Sequence, residues 1–165
     1  MFMMGVSGSG KTDVGKALAQ ILSWDFVDGD AFHPPANVAK MRGGTPLTDD
    51  DRWPWLDSIN LACRERRLAG LPTIFACSAL KQAYRDRLSF GLSSAVFVHL
   101  KVDAALIQQR LAKGRPGHFM PPALLGSQFQ TLEEPIDGIT IVDTGDTPAV
   151  VASRIVVELK NQQIF

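Results

Sequence analysis

One stretch constrains this chain more than any other, because its pattern is tied to a single backbone geometry. It consists of Gly5, Val6, Ser7, Gly8, Ser9, Gly10, Lys11 and Thr12. These residues match G-x-x-x-x-G-K-[ST], in which glycines turn the backbone so that successive N–H groups point at one phosphate. An apolar stretch at 2–4 precedes the motif and an amphipathic helical pattern follows it. We therefore predict a strand, a phosphate-binding loop and a helix, in that order. The alternative is a glycine- and serine-rich turn that matches by chance.

In a loop of this kind, Lys11 reaches the β- and γ-phosphates and the hydroxyl of Thr12 binds Mg²⁺. The helix that begins near Gly10 adds its positive N-terminal end. The motif therefore predicts that the chain binds ATP or a related nucleotide together with Mg²⁺.

The bulk composition is that of an ordinary soluble domain. The sequence is 45% hydrophobic and 21% charged, with a formal net charge of zero. Its length of 165 residues favours a single domain over residues 1–165. No basic run would track a phosphate backbone, so we expect no nucleic-acid partner. No apolar stretch has membrane-spanning length and no signal peptide precedes the loop, so we expect no membrane partner.

Cys63 and Cys77 form neither a disulfide framework nor a metal set, so we expect a reducing, cytoplasmic compartment.

Five short apolar runs alternate with helical patterns along the chain. This alternation predicts an α/β fold, a doubly wound parallel β-sheet flanked by helices with right-handed crossovers. We expect the second strand to lie beside the first, and ligands to bind beyond the carboxyl ends of the strands. At that edge the loop at Gly5 would meet Asp28, Asp30, Ser78 and the segment 101–103.

Two carboxylates, Asp28 and Asp30, end the second predicted strand. Since alternate residues of a strand point to the same side, we expect both side chains to share one face. One would face Mg²⁺ and the other an acceptor hydroxyl, as phosphoryl transfer requires. The alternative is an ordinary turn, in which Asp-Gly-Asp is common. The third strand lacks the usual terminal aspartate and offers Ser78 instead, so Mg²⁺ would rely on Thr12 and Asp28 through water, or on Ser78.

Basic residues follow the third strand and occur on an earlier helix. Lys81 and Arg85, together with Arg52, would suit an anionic substrate, although a surface charge is the commoner role of each. His33 either binds a ligand or packs within its loop. His99 lies in the middle of a strand, where a core histidine is expected.

The stretch from 113 to about 132 begins rich in glycine, proline and basic residues. We predict a mobile lid there, since a basic flap can close over phosphates, exclude water and stabilise charge during transfer. Its candidate residues are Lys113, Arg115 and His118, with Arg110 on the preceding helix. The alternative is a solvated glycine–proline loop.

The blocks of sequence around these residues resemble the gluconate kinase family. Beyond the phosphate-binding loop, they are D-G-D-A-F-H-P (28–34), N-V-A-K-M (37–41), G-T-P-L-T-D-D-D-R (44–52), P-W-L (54–56), C-S-A-L-K (77–81), Y-R-D (84–86), G-H-F (117–119) and Q-F-x-T-L-E-E-P (128–135). They cover nearly the whole chain in the family's order, which is far more specific than the loop motif alone.

The resemblance implies phosphorylation of D-gluconate at its 6-hydroxyl by ATP with Mg²⁺, giving 6-phospho-D-gluconate and ADP. It also implies a homodimer, and a product that feeds the pentose phosphate or Entner-Doudoroff route. The implied fold is similar to those of shikimate kinase and adenylate kinase.

The resemblance further implies roles for individual residues. Asp30 is the candidate base or orienting carboxylate for the 6-hydroxyl, Asp28 supports Mg²⁺, and Lys11 and Arg115 act on the transferring phosphoryl group. Because a carboxylate favours a bidentate arginine, Arg52 or Arg85 would anchor the acid. The full set of candidates for the sugar acid is Asp30, His33, Arg52, Ser78, Lys81, Arg85 and His118, and Arg110 joins the nucleotide site.

Two questions stay open at this point. The segment 110–118 is a residue longer than is usual in the family and contains Pro116, so either Lys113 or Arg115 would reach the γ-phosphate. Two other functions also remain: a kinase of the same fold acting on another small acid or a nucleotide, and a nucleotide-binding regulator without catalysis. The basic cluster favours an acid substrate, and the two aspartates with the flap argue against a regulator.

Overall fold

The computed structural model of this chain describes residues 1–112 and 124–164. Over these residues the backbone forms five strands and seven α-helices. The strands are β1 Phe2–Met4, β2 Asp25–Asp28, β3 Thr73–Ala76, β4 Phe97–Val102 and β5 Ile139–Asp143. The helices are α1 Lys11–Leu22, α2 Pro35–Arg42, α3 Asp49–Leu68, α4 Gln82–Ser89, α5 Ala104–Ala112, α6 Leu125–Thr131 and α7 Pro148–Asn161.

The strands form one sheet in the order β2-β3-β1-β4-β5, and every neighbouring pair is parallel. The predicted doubly wound α/β fold is confirmed. The prediction that β2 lies beside β1 was wrong, because β3 lies between them. Burial accounts for the difference: all of β3 is buried, whereas the residues of β2 are exposed or half-buried. A strand covered on both faces suits the interior of a parallel sheet, and β2 takes the edge.

Side chains of β1 alternate between two helical layers. Met3 packs on one face in a cluster that includes Leu18 of α1 and Ile155 of α7. Phe2 packs on the opposite face in a cluster that includes Trp55 of α3. Because helices cover both faces, the carboxyl edge of the sheet is the place left for a ligand.

The chain after β2 leaves the strand at once. Gly29–Phe32 forms a 3₁₀ turn, and Oδ1 of Asp28 accepts a hydrogen bond from the backbone N–H of Asp30 at 3.1 Å. The prediction that these two carboxylates share a strand face was therefore wrong. The turn also needs its glycine, since a Cβ at Gly29 would lie 2.5 Å from the carbonyl oxygen of Ala76.

Side chains at its first turn fix the start of the long helix α3. Thr48 and Asp51 form a capping box, in which the backbone N–H of Thr48 donates to Oδ2 of Asp51 at 2.9 Å. Hydrogen bonds from Lys40 and then Thr48 lower the pKa of Asp51 to about 2. This cap fixes the first turns of α3, which carry site residues described below.

The two cysteines are free thiols. Burial raises the pKa of Cys77 to about 12, and Cys63 is half-buried. Among the helices of the described ranges, none has both the length and the apolar character needed to cross a bilayer.

Candidate active site

The loop between β1 and α1 adopts the conformation expected of its glycines. Gly5, Gly8 and Gly10 have φ angles of 140°, 79° and 95°, a region that other residues rarely adopt. A Cβ at Gly5 would lie 2.8 Å from a carbonyl oxygen of β4. The Nζ of Lys11 donates to the carbonyl oxygen of Val6 at 2.9 Å. The lysine ammonium therefore lies at the loop, where phosphate charge would collect.

Thr12 and Asp28 meet beside this loop. The hydroxyl of Thr12 donates to Oδ2 of Asp28 at 3.1 Å, and hydroxyl and carboxylate oxygens are ligands that Mg²⁺ accepts. Across residues 1–112 and 124–164, no group of three or more His, Cys, Asp or Glu could hold a metal ion. The pair therefore suits an ion that takes its remaining ligands from phosphates and water.

A pocket opens next to the loop at the carboxyl edge of the sheet. It encloses about 560 Å³, part of which is space open to solvent. Several residues expected from the sequence line it together: Lys11, Asp30, His33, Arg52 and Ser78. They come from the phosphate-binding loop, the 3₁₀ turn, α3 and the end of β3, so convergence of distant segments at one edge builds the site.

His33 and Arg52 form one polar wall of this pocket. Burial, and then the charge of Arg52, lower the pKa of His33 to about 4, so the imidazole is neutral at physiological pH. The guanidinium of Arg52 lies over the ring of Tyr84, 5.5 Å from its centroid. In the described part of the chain, neither Nδ1 of His33 nor Nε of Arg52 has a hydrogen-bond partner. Since buried polar atoms are normally satisfied, this wall favours a polar ligand.

Lys81 is paired within the protein and is not among the described residues that line the pocket. Its Nζ donates to both carboxylate oxygens of Asp49 at 2.9 Å, and the hydroxyl of Tyr84 donates to the same carboxylate. The hydrogen bonds from Tyr84 and then Lys81 hold the pKa of Asp49 below its usual range. The pair therefore lowers the charge that Lys81 offers to a substrate.

Arg85 is only 3% exposed, and its guanidinium lies among backbone carbonyls. Nη1 donates to the carbonyl oxygens of Ala79 and Leu80 at 3.0 and 3.3 Å, and to that of Glu133 at 3.0 Å. These bonds tie the segment after α6 to the segment after β3. Of the two arginines considered for the substrate carboxylate, Arg52 lines the pocket and Arg85 does not, within the described residues.

Helix α6 and the residue before it supply pocket residues that had no individual role among the predictions from the sequence. Leu124, Ser127 and Gln128 line the pocket, and Oε1 of Gln128 accepts a hydrogen bond from the backbone N–H of Ser7 at 2.6 Å. A signal was present, because Gln128 opens the Q-F-x-T-L-E-E-P block. Nothing in its local spacing connects it to a loop 121 residues earlier.

Arg110 lies beside the phosphate-binding loop. Its Nη2 pairs with the buried carboxylate of Asp143 at 2.7 Å, and its Nη1 lies 3.5 Å from the carbonyl oxygen of Ser9. This position is consistent with the predicted nucleotide contact. Lys113, Arg115 and His118, like the first part of the predicted lid, lie outside the described residues.

A parallel sheet with a phosphate-binding loop and a polar pocket at its carboxyl edge defines a P-loop small-molecule kinase. A family model described as an AAA domain matches residues 1–135, and the chain belongs to that family. A shikimate kinase from Aquifex aeolicus shares the fold with a TM-score of 0.62 at 17% identity, covering 99% of this chain and 97% of that one.

Relatives with higher sequence identity to this chain identify a more specific family. The gluconokinase of Gluconobacter oxydans is 47% identical over 142 residues, which cover 86% of this chain and 79% of the relative. The crystal structure of an unliganded sugar kinase from Janibacter sp. is 45% identical with a TM-score of 0.87, covering 96% of this chain and 92% of that one. A gluconokinase from Sinorhizobium meliloti is 38% identical with a TM-score of 0.76, covering 98% and 95%. The chain belongs to the gluconokinase family, as its sequence blocks indicated.

Proposed function

We propose that this chain transfers the γ-phosphoryl group of ATP to the 6-hydroxyl of D-gluconate, giving 6-phospho-D-gluconate and ADP. The observation that carries the proposal is the composition of one pocket. A loop lysine, a carboxylate, a neutral histidine and a guanidinium line the same cavity, through Lys11, Asp30, His33 and Arg52. Membership of the gluconokinase family supports ATP-dependent phosphorylation of gluconate.

On the acceptor side, the protein's task is positioning. Phosphoryl transfer passes through a loose transition state that needs alignment and charge stabilisation more than a strong base. Asp30 accepts a hydrogen bond from the 6-hydroxyl and orients it in line with the γ-phosphate. Arg52 binds the substrate carboxylate as a bidentate partner. Neutral His33 both donates and accepts hydrogen bonds, which suits a hydroxyl of the sugar acid.

On the phosphate side, the loop amides and Lys11 stabilise the charge of the γ-phosphate. The proximity of Thr12 and Asp28 supports a Mg²⁺ ion held by the hydroxyl directly and by the carboxylate through water. When bound, Mg²⁺ neutralises charge on the β- and γ-phosphates. The contacts of Lys113 or Arg115 with the γ-phosphate and of His118 with the acid, and closure of a lid over 113–132, stay predictions from the sequence.

We also propose that the enzyme is a cytoplasmic homodimer, as the family resemblance implies. Light scattering after size-exclusion chromatography tests the assembly. A homodimer gives a mass of about twice the 18.0 kDa of the chain.

A coupled assay of ADP release tests the function. The acceptors are D-gluconate, its epimer D-galactonate, the neutral sugars D-glucose and sorbitol, and shikimate. We expect D-gluconate to give the highest kcat/KM, and the neutral sugars to give almost no turnover because they lack the carboxylate. No release of ADP with D-gluconate, or equal turnover of shikimate, would contradict the proposal.

Two lysine variants complete this assay. Lys11→Ala removes the loop ammonium and should lower kcat by roughly 10²–10³. Lys16→Ala removes an exposed lysine of the same helix and should leave turnover unchanged.

A further inference from the structure

The acceptor side of the pocket depends on the short turn that follows β2. Asp30 lies within this 3₁₀ turn and His33 immediately follows it, and both line the pocket. The turn presses against β3, since a Cβ at Gly29 would lie 2.5 Å from the carbonyl oxygen of Ala76. The positions of Asp30 and His33 are therefore set by whatever holds this turn in place.

Trp55 of α3 contacts the turn at both ends. Its indole Nε1–H donates to the carbonyl oxygen of Gly29 at 2.8 Å. Its ring stacks on the imidazole of His33, with centroids 4.1 Å apart and planes 15° from parallel. Trp55 is 1% exposed, so the side chain is held by the core while it holds the turn.

The helix that carries Trp55 also carries Arg52. The two residues are three positions apart, and residues at this spacing lie on the same side of a helix. Arg52 lines the pocket directly. One stretch of α3 therefore supplies a pocket guanidinium and supports the turn that bears the pocket carboxylate and imidazole.

From these contacts we propose that Trp55 is a positioning residue of the acceptor site. It fixes Asp30 and His33 relative to Arg52, through the hydrogen bond to Gly29 and the stack on His33. The proposal rests on the proposed function in that the acceptor is D-gluconate. It gives the indole of the P-W-L block a role in the acceptor site as well as in the buried core.

The test replaces the indole by a smaller ring. Trp55→Phe keeps an aromatic ring in the core but removes the donor to Gly29 and shrinks the ring that covers His33. We expect kcat/KM for D-gluconate to fall roughly tenfold to hundredfold, because small displacements of reacting groups cost rate steeply. KM for ATP should stay within about twofold, since the loop lysine and amides are untouched.

A second readout separates positioning from general loss of packing. Proton–carbon NMR of the imidazole Cε1–H, assigned with His33→Asn, measures the titration midpoint of His33. We expect a midpoint near pH 4 in the wild type, and a midpoint about one unit higher in Trp55→Phe because the imidazole becomes better hydrated. Of the residues that the structure describes, the charged ones that share the pocket with His33 are Lys11, Asp30 and Arg52, and all remain in the variant.

Trp53→Phe is the matched control. Trp53 lies on the same helix but packs edge-on against Tyr84, with centroids 5.6 Å apart, and should leave both readouts unchanged. The proposal requires both changes in Trp55→Phe. A wild-type kcat/KM or a wild-type midpoint for His33 in the folded variant overturns it, as does an equal effect of Trp53→Phe.

A measurement on the unaltered chain covers the case in which Trp55→Phe does not fold. The protein is labelled with 5-fluorotryptophan, and the Trp55 resonance is assigned by elimination with Trp24→Phe and Trp53→Phe. Adding D-gluconate should shift the Trp55 fluorine signal more than the other two, and an unmoved signal overturns the proposal. If the proposed function itself fails, the wild type does not release ADP with D-gluconate, while the midpoint of His33 still reports on Trp55.

Discussion

The side-chain carbonyl oxygen of Gln128 accepts a hydrogen bond from the backbone N–H of Ser7 at 2.6 Å. Ser7 belongs to the phosphate-binding loop, so this bond occupies an amide of the kind that a bound phosphate recruits. Apolar packing joins the same elements, because Leu125 of α6 and Val6 of the loop share a buried cluster. Helix α6 therefore has both a polar and an apolar contact with the nucleotide site.

The polar contact leads to a prediction about nucleotide affinity. Gln128→Leu removes the acceptor while the apolar packing of α6 remains, so phosphate no longer competes for the Ser7 amide. We expect a non-hydrolysable ATP analogue to bind about three- to tenfold more tightly, the worth of one hydrogen bond. Calorimetric titration measures this, with the exposed Gln130→Leu on the same helix as control. Unchanged or weaker binding of the analogue to Gln128→Leu would show that Gln128 and the phosphate do not compete for the backbone N–H of Ser7.

Replacing Arg52 or Arg85 by lysine should affect different properties of the enzyme, substrate binding in the first case and stability in the second. Arg52→Lys should raise KM for D-gluconate tenfold or more, since a charged hydrogen-bond pair contributes roughly 1.5–3 kcal/mol. Arg85→Lys should leave that KM unchanged but lower the free energy of unfolding by about 1–3 kcal/mol, because buried carbonyls lose their donor. Steady-state kinetics and urea unfolding of both variants decide the matter. A raised KM for D-gluconate in Arg85→Lys, with an unchanged KM in Arg52→Lys, would show that Arg85 binds the substrate carboxylate.

Local patterns in the sequence predicted much of this architecture. The phosphate-binding loop at Gly5 and the ends of two strands, at Asp28 and just before Ser78, follow from nearby residues. Because parallel strands end at one edge, these segments could be expected to converge before any contact was known.

Contacts between segments that are distant in the sequence could not be predicted. The position of β3 between β2 and β1 depends on which strand is better covered by helices on both faces, which spacing does not encode. Arg85 has the same local sequence whether its acceptor is a substrate carboxylate or the carbonyl of Glu133. The bond between Gln128 and Ser7 likewise joins segments that meet only after folding.

His33 should make stability depend on pH. Burial, and then Arg52, lower its pKa in the folded state to about 4, whereas the unfolded value is about 6.5. Between these values the unfolded chain binds the proton, so this contribution is fully present above about pH 6.5 and is lost as the pH falls towards 4. The free energy of unfolding of the wild type relative to His33→Asn should therefore be larger at pH 7.5 than at pH 5. If the difference in free energy of unfolding between the wild type and His33→Asn is the same at both pH values, the imidazole of His33 is exposed to solvent in the folded state.

Variants of Asp28, which ends β2, and of Asp30 in the following turn should respond differently to Mg²⁺. Asp30→Asn should lower kcat by roughly 10²–10⁴, the usual range for loss of general-base assistance, and excess Mg²⁺ should not restore it. Asp28→Asn should raise the Mg²⁺ concentration needed for half-maximal rate, and excess Mg²⁺ should partly rescue it. Titration of kcat with Mg²⁺ in both variants distinguishes them. Rescue of Asp30→Asn but not of Asp28→Asn would exchange the two roles.

The position of the phosphoryl group on the product shows where the acceptor lies relative to the γ-phosphate, and therefore whether the pocket binds D-gluconate as proposed. Uniformly ¹³C-labelled D-gluconate is incubated with ATP, Mg²⁺ and the enzyme, and the product is examined by ¹³C NMR. We expect phosphorus coupling at C6 and at its neighbour C5, with the carboxylate carbon unaffected, because Arg52 holds the carboxylate away from Asp30. Coupling centred on any other carbon, or no phosphorylated product, would contradict it.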